Sequence, residues 1–131
     1  MTFVDTNYFL RFLLKDNNLQ HRNAKQLFLS AARGEIEVAT SLIVFFEVYW
    51  VLKSYYEKKK DELNTTLNKI LSLTFIKLAE REKLTKSLKL FASTTLSLED
   101  CYNLILAKEL AVENFASFDE KLKKHFKLSL R

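Results

Sequence analysis

Short β-type runs alternate with longer stretches of helical periodicity along the whole chain. Thr2-Phe3-Val4 reads as a strand ending in Asp5-Thr6-Asn7, and Tyr8 to Lys15 as a helix apolar on most sides. His21 to Arg33 places Ala24, Leu27, Phe28 and Ala31 on one face, the spacing of an amphipathic helix, with Gly34 just past its end. Glu35 to Ala39 alternates polar and apolar, as a half-buried strand does. Leu42 to Leu52 is nearly all apolar, which predicts a buried helix. Asp61 to Leu73 is a further amphipathic helix and Phe75 to Leu78 a strand. Helices follow at Glu80 to Phe91 and Glu99 to Val112, then a strand at Phe115 to Phe118. A short helix from Asp119 to His125 and a candidate last strand from Lys127 to Leu130 close the chain.

This alternation predicts an α/β fold, one domain over residues 1–131. A mostly parallel central sheet of four or five strands is flanked by helices. No linker or internal repeat interrupts it, and Lys58-Lys59-Lys60 is the one charge run. In such folds ligands bind beyond the carboxyl ends of the strands, which is where candidate chemistry is sought.

Composition removes several kinds of chemistry. The 131 residues include one Gly and no Pro. A phosphate-binding loop needs two glycines and a dinucleotide fingerprint three, so both are excluded. A single Cys101 excludes intrachain disulfides and thiolate zinc clusters, and His21 and His125 cannot build a three-histidine site. The net charge of +5 suits a polyanionic partner without requiring one. No apolar run is long enough to span a bilayer, which takes about 20 residues, and Asp5, Asn7 and Arg11 break the first apolar stretch. With no export signal, a cytoplasmic protein without membrane attachment is expected.

Hydroxyls, amides and carboxylates are left to act, and most of the sixteen acids have plain explanations. Glu35 and Glu37 lie on the polar face of a strand, and Glu80 and Glu82 open a helix whose dipole favours negative charge. Four differ. Glu47 stands within an otherwise apolar or aromatic helix, where an unpaired carboxylate is costly if buried; an internal ion pair or a solvent-facing stripe one residue wide is the plain alternative. Asp5 and Asp119 follow strands. Asp100 begins a helix and heads a stripe with Leu104, Ala107 and Ala111. Capping accounts for the last three equally well: Asp5, Thr6 or Asn7 for the first helix, and the boxes Ser97-Leu98-Glu99-Asp100 and Ser117-Phe118-Asp119-Glu120 for the others. Four carboxylates brought to one sheet edge would repel unless a cation joined them, and all-oxygen ligation selects Mg²⁺ or Mn²⁺.

Val4-Asp5-Thr6-Asn7, Thr40-Ser41 leading through Glu47 to Trp50-Val51-Leu52, Asp100 at a helix start and Ser117-Phe118-Asp119 together resemble the PIN-domain nucleases. Within those the chain is most similar to the VapC-type toxins of toxin–antitoxin systems. The resemblance covers essentially the whole chain and implies a metal-dependent endoribonuclease. Asp5, Glu47, Asp100 and Asp119 match the family's acidic metal-binding quartet, and Asn7 and Ser117 its supporting polar positions. Thr6 flanks the first acid. The resemblance also implies a homodimer silenced by a small antitoxin protein. The tail from Glu120 lacks the Gly and Pro frequent there in the family, and its lysines have no assigned role.

The expected mechanism is in-line attack on an RNA phosphodiester by water activated at Mg²⁺ or Mn²⁺. Asp5 is the central ligand, Asp100 and Asp119 complete the set, and Glu47 holds the ion directly or through water. Arg11 and the lysines of the last two helices are candidates to contact the RNA backbone, with a solvated surface charge as the plainer reading of each. The alternatives are an inactive PIN-like module that binds RNA or protein, a metal-free ribonuclease using His21 and His125, and a phosphotransfer receiver-like domain. The last needs paired acids after its first strand, which Met1-Thr2-Phe3-Val4 does not supply.

Overall fold

Extended backbone is scarce in the computed structural model, which describes residues 1–129: its three strands each contain two residues. The chain divides into two compact units, Met1–Arg81 and Glu82–Arg131.

The first unit carries the sheet. In chain order its elements are β1 (Thr2–Phe3), α1 (Thr6–Leu14), α2 (Asn18–Ala32), β2 (Val38–Ala39), α3 (Leu42–Ser54), α4 (Lys60–Ser72) and β3 (Ile76–Lys77). The strands lie parallel in the order β1-β2-β3, with Thr2 opposite Val38 and Val38 opposite Ile76. Parallel neighbours require crossover connections, and here each crossover is a pair of helices. Backbone bonds continue the ladder past the strand ends: Val4 N–H donates to Ala39 O at 2.9 Å and Thr40 N–H to Lys77 O at 3.0 Å. The core is Val4, Val38 and Ile76 with the inner faces of the helices, including Phe9, Phe28, Phe45, Tyr49 and Leu67, all nearly inaccessible. Phe9, Phe12 and Phe28 pack ring against ring, with centroids 5.5 and 4.9 Å apart, and join α1 to α2.

Helix ends explain why the strands are shorter than the alternation implies. After α2, Gly34 takes φ +78°, its N–H bonds to Ala31 O, and the Glu35 N–H reaches back to Ser30 O. That is a Schellman closure, and it absorbs the start of the predicted strand Glu35 to Ala39. Arg81 performs the corresponding task between α4 and β3. Its guanidinium donates to the carbonyls of Leu71 in α4, Leu73 just past that helix and Ile76 in β3, tying the helix end to the strand. Burial pulls its pKa below the ordinary arginine value.

The second unit is helical: α5 (Arg81–Ser93, beginning on the last residue of the first unit), α6 (Leu98–Glu109) and α7 (Glu120–Ser129). Among the described residues the sheet therefore has three strands rather than four or five, because neither late segment is extended there. Phe115 to Phe118 forms no strand. Ser117 Oγ accepts from the Asp119 N–H at 3.0 Å and Asp119 Oδ1 from the Leu122 N–H at 3.1 Å. These side chains capture backbone donors for the start of α7 in place of a ladder. Lys127 to Ser129 continues α7, since Leu122 and Phe126, one turn apart, both bury on the same face. Leu130 of that predicted strand lies outside the described residues.

α6 ends at Glu109, short of the predicted Val112. Ala111 adopts φ +54°, and its N–H and that of Val112 bond to Lys108 O and Ala107 O, the same closure as at Gly34. Here an alanine occupies the left-handed position, at a steric cost of about 1–2 kcal/mol. Ala111→Gly is therefore expected to stabilise the protein by about 1 kcal/mol after the glycine's entropy is counted, read as a higher denaturant midpoint at unchanged slope.

Candidate active site

Asp5 stands directly beyond the carboxyl end of β1. Its backbone is extended and its side chain caps α1, with Oδ1 accepting from the Tyr8 N–H at a long 3.4 Å. Thr40, beyond the end of β2, donates its hydroxyl to Val4 O at 2.9 Å, so the two chain exits are tied together. Ser41 then caps α3 by accepting from the Val44 N–H at 3.1 Å. The sequence pattern singled out Thr40 and Ser41 without revealing these roles.

Glu47 is exposed, not buried. On α3 the residues Val44, Phe45, Val48, Tyr49 and Leu52 form the buried face. Ile43, Glu47 and Trp50, at i, i+4 and i+7, form a stripe toward solvent, and Ile43 and Trp50 are 76% and 59% exposed. The apolar character of that stripe is what made the helix look buried on all sides. Tyr49 is core and Trp50 is surface.

A cleft of about 340 Å³ opens beside Asp5, lined also by Asn7, Tyr8, Arg11, Gln20 and Asn23. Thr6, the other polar neighbour of Asp5, is buried instead. Arg11 is not a free surface charge: its Nη1 bonds to Asp16 Oδ1 at 2.8 Å, and the Tyr56 hydroxyl donates to Asp16 Oδ2 at 3.3 Å. The Arg11 hydrogen bond holds the Asp16 carboxyl below its usual range, and Asp16 in turn raises the guanidinium pKa. Tyr8, Gln20 and Asn23 were not anticipated. Their only sequence signal is that α1 and α2 each send polar side chains outward at helical spacing beside the first acid.

In the second unit Asp100 and Asp119 lie at helix starts. Ser97 caps α6, its Oγ accepting from the Asp100 N–H at 3.1 Å, and Asp100 is half-buried. The stripe it heads runs through the buried Leu104 and Ala107, while Ala111 is exposed beyond the helix. At α7 the expected order is reversed: Asp119 supplies the capping oxygen and Ser117 the turn before it. Phe118 between them is fully exposed, at 105%. Cys101 is a buried packing residue with Thr94 Oγ1 at 3.8 Å.

His21, in the first unit, turns Nδ1 toward Arg11 O at 3.1 Å and stacks on Phe12, and His125 belongs to the second unit. The carboxylates are suited in kind to a hard divalent cation, since every donor is oxygen. Among the described residues no three His, Cys, Asp or Glu side chains gather into a group that could hold a metal ion. Among them too, no helix is long and apolar enough to cross a membrane.

No curated protein matches the chain. The PIN domain family does, over residues 2–127 and so across both units. Three parallel strands with an acid just beyond the first agree with that match, and the chain belongs to the PIN domain family, whose α/β fold is of the nuclease type.

Proposed function

We propose that the protein is a metal-dependent endoribonuclease and the toxin of a toxin–antitoxin pair. The observation that carries this reading is the PIN domain match over residues 2–127. Asp5, Glu47, Asp100 and Asp119 are the proposed ligands. Mg²⁺ or Mn²⁺ bound there would offset the carboxylate charge, lower the pKa of a water and stabilise the leaving oxygen. The residues themselves have separable tasks. Asp5 holds its carboxylate at the strand edge through its capping bond. Asn7, exposed in the cleft beside Asp5, offers its amide to a bound ligand, and Ser117 fixes the backbone from which Asp119 projects. Arg11, braced by Asp16, keeps guanidinium N–H groups available to an RNA phosphate.

The apolar stripe of Ile43 and Trp50 on α3 supports a protein-facing surface, which suits either a second copy or the antitoxin. The reaction is tested with purified protein and defined RNAs. Cleavage is expected with Mn²⁺ and none in excess chelator. RNA that is bound but left intact at every metal concentration would make the protein an inactive PIN-fold binding module.

A further inference from the structure

The cleft beside Asp5 differs in chemistry from a site that only has to hold a phosphate. Of its six lining residues one is acidic, and the single cation, Arg11, is committed in part to Asp16. The others are three amides, Asn7, Gln20 and Asn23, and the phenol of Tyr8. None of these four side chains hydrogen-bonds to another described residue, and all four are exposed, so their donors and acceptors are available to a ligand. Helix geometry gathers them: Gln20 and Asn23 are i, i+3 neighbours on α2, and Asn7 and Arg11 are i, i+4 neighbours on α1.

Amides place a donor and an acceptor side by side, which matches the edge of a nucleobase and not the all-acceptor surface of a phosphate. An aromatic ring supplies a stacking face for an unstacked base. An apolar ligand would leave three amides unpaired, and a polyphosphate would meet one cation and one carboxylate. We propose that the cleft receives a single unstacked RNA base next to the cleaved phosphate, with the Gln20 and Asn23 amides on its edge and Tyr8 against its face. The cleft would then set the sequence preference of cleavage. This rests on the endoribonuclease reading for its consequence, though the binding of a base does not depend on it.

The full chain, labelled with ¹⁵N, is titrated without metal with the four nucleoside 5′-monophosphates. Ribose 5-phosphate and inorganic phosphate are the probes that lack a base. Shifts are expected at residues 7–23, with at least one nucleotide binding about 10-fold tighter than ribose 5-phosphate, as one bidentate amide contact implies. The double variant Gln20→Ala/Asn23→Ala should lose that margin, and its cleavage sites on a mixed-sequence RNA should show a flattened preference. Both residues are exposed on α2, so the variant keeps its core. Ribose 5-phosphate binding as tightly as every nucleotide would overturn the proposal, and so would a double variant that binds them all as wild type does. If no RNA is cleaved under any condition the nuclease reading falls, while the titration still decides whether the cleft takes a base.

Discussion

Asp5→Asn is expected to reduce Mn²⁺-dependent RNA cleavage by about 100-fold or more while leaving the protein as stable as wild type. The first part follows from magnitudes. Charge stabilisation by a catalytic metal is worth several kcal/mol, and each 1.36 kcal/mol is a factor of ten in rate. The second follows from the local structure. Asp5 caps α1, and asparagine caps a helix about as well as aspartate, whereas alanine would lose about 1 kcal/mol. The isosteric change therefore separates the carboxylate's charge from its capping oxygen, and Asp5→Ala would confuse the two. Asp119, which caps α7, calls for the same choice. Initial cleavage rates on one RNA, with denaturant midpoints for both proteins, supply the test. A full rate in Asp5→Asn would remove Asp5 from the chemistry and leave it a cap.

Phe9→Ala should cost about 3–5 kcal/mol, as large-to-small changes at buried aromatic sites do. Phe9 is 1% exposed and its ring packs on Phe28, which in turn meets Phe12 and Phe75. Removing it opens a void where α1 and α2 meet and where neither helix can collapse without shifting the other. Domains of this size are stable by about 5–15 kcal/mol, so the loss is a large share of the total. Phe118→Ala removes the same side chain from a fully exposed position and should change stability by less than about 0.5 kcal/mol. The difference in urea midpoint between the two variants is the readout. Similar midpoints would mean that Phe9 is not the packing centre described.

The sequence makes helices easier to read than strands here, for a physical reason. A helix shows itself through a repeat sustained over three or four turns, and all seven described helices were anticipated to within a few residues at most ends. Each strand has two paired residues, too few for a period to emerge, and its boundaries are set by neighbouring helix ends. The Gly34 closure was visible because glycine marks it, while the equivalent closure at Ala111 carried no mark. Phe115 to Phe118 has the composition of a strand, yet Ser117 and Asp119 draw its end into a helix cap. Arg81 acts through a long side chain reaching back to three carbonyls, which no local pattern encodes.

The candidate acids divide in the same way. The capping reading of Asp5, Asp100 and Asp119 was legible because helix starts have known preferences, and all three lie at such starts. The environment of Glu47 was not legible. Ile43 and Trp50 on the outer face of α3 hide the amphipathic pattern that would have shown it exposed. The cleft residues Tyr8, Gln20 and Asn23 come from two helices and become neighbours only once α1 and α2 pack.

Substoichiometric Mn²⁺ added to ¹⁵N-labelled protein tests most directly whether Asp5, Glu47, Asp100 and Asp119 serve one ion. Paramagnetic broadening falls steeply with distance from the ion. The backbone amide signals of Asp5, Glu47, Asp100 and Asp119 should fade together, at the same Mn²⁺ ratio and ahead of the rest. Broadening that reaches only some of the four, or is spread evenly over the acidic surface, would contradict the account.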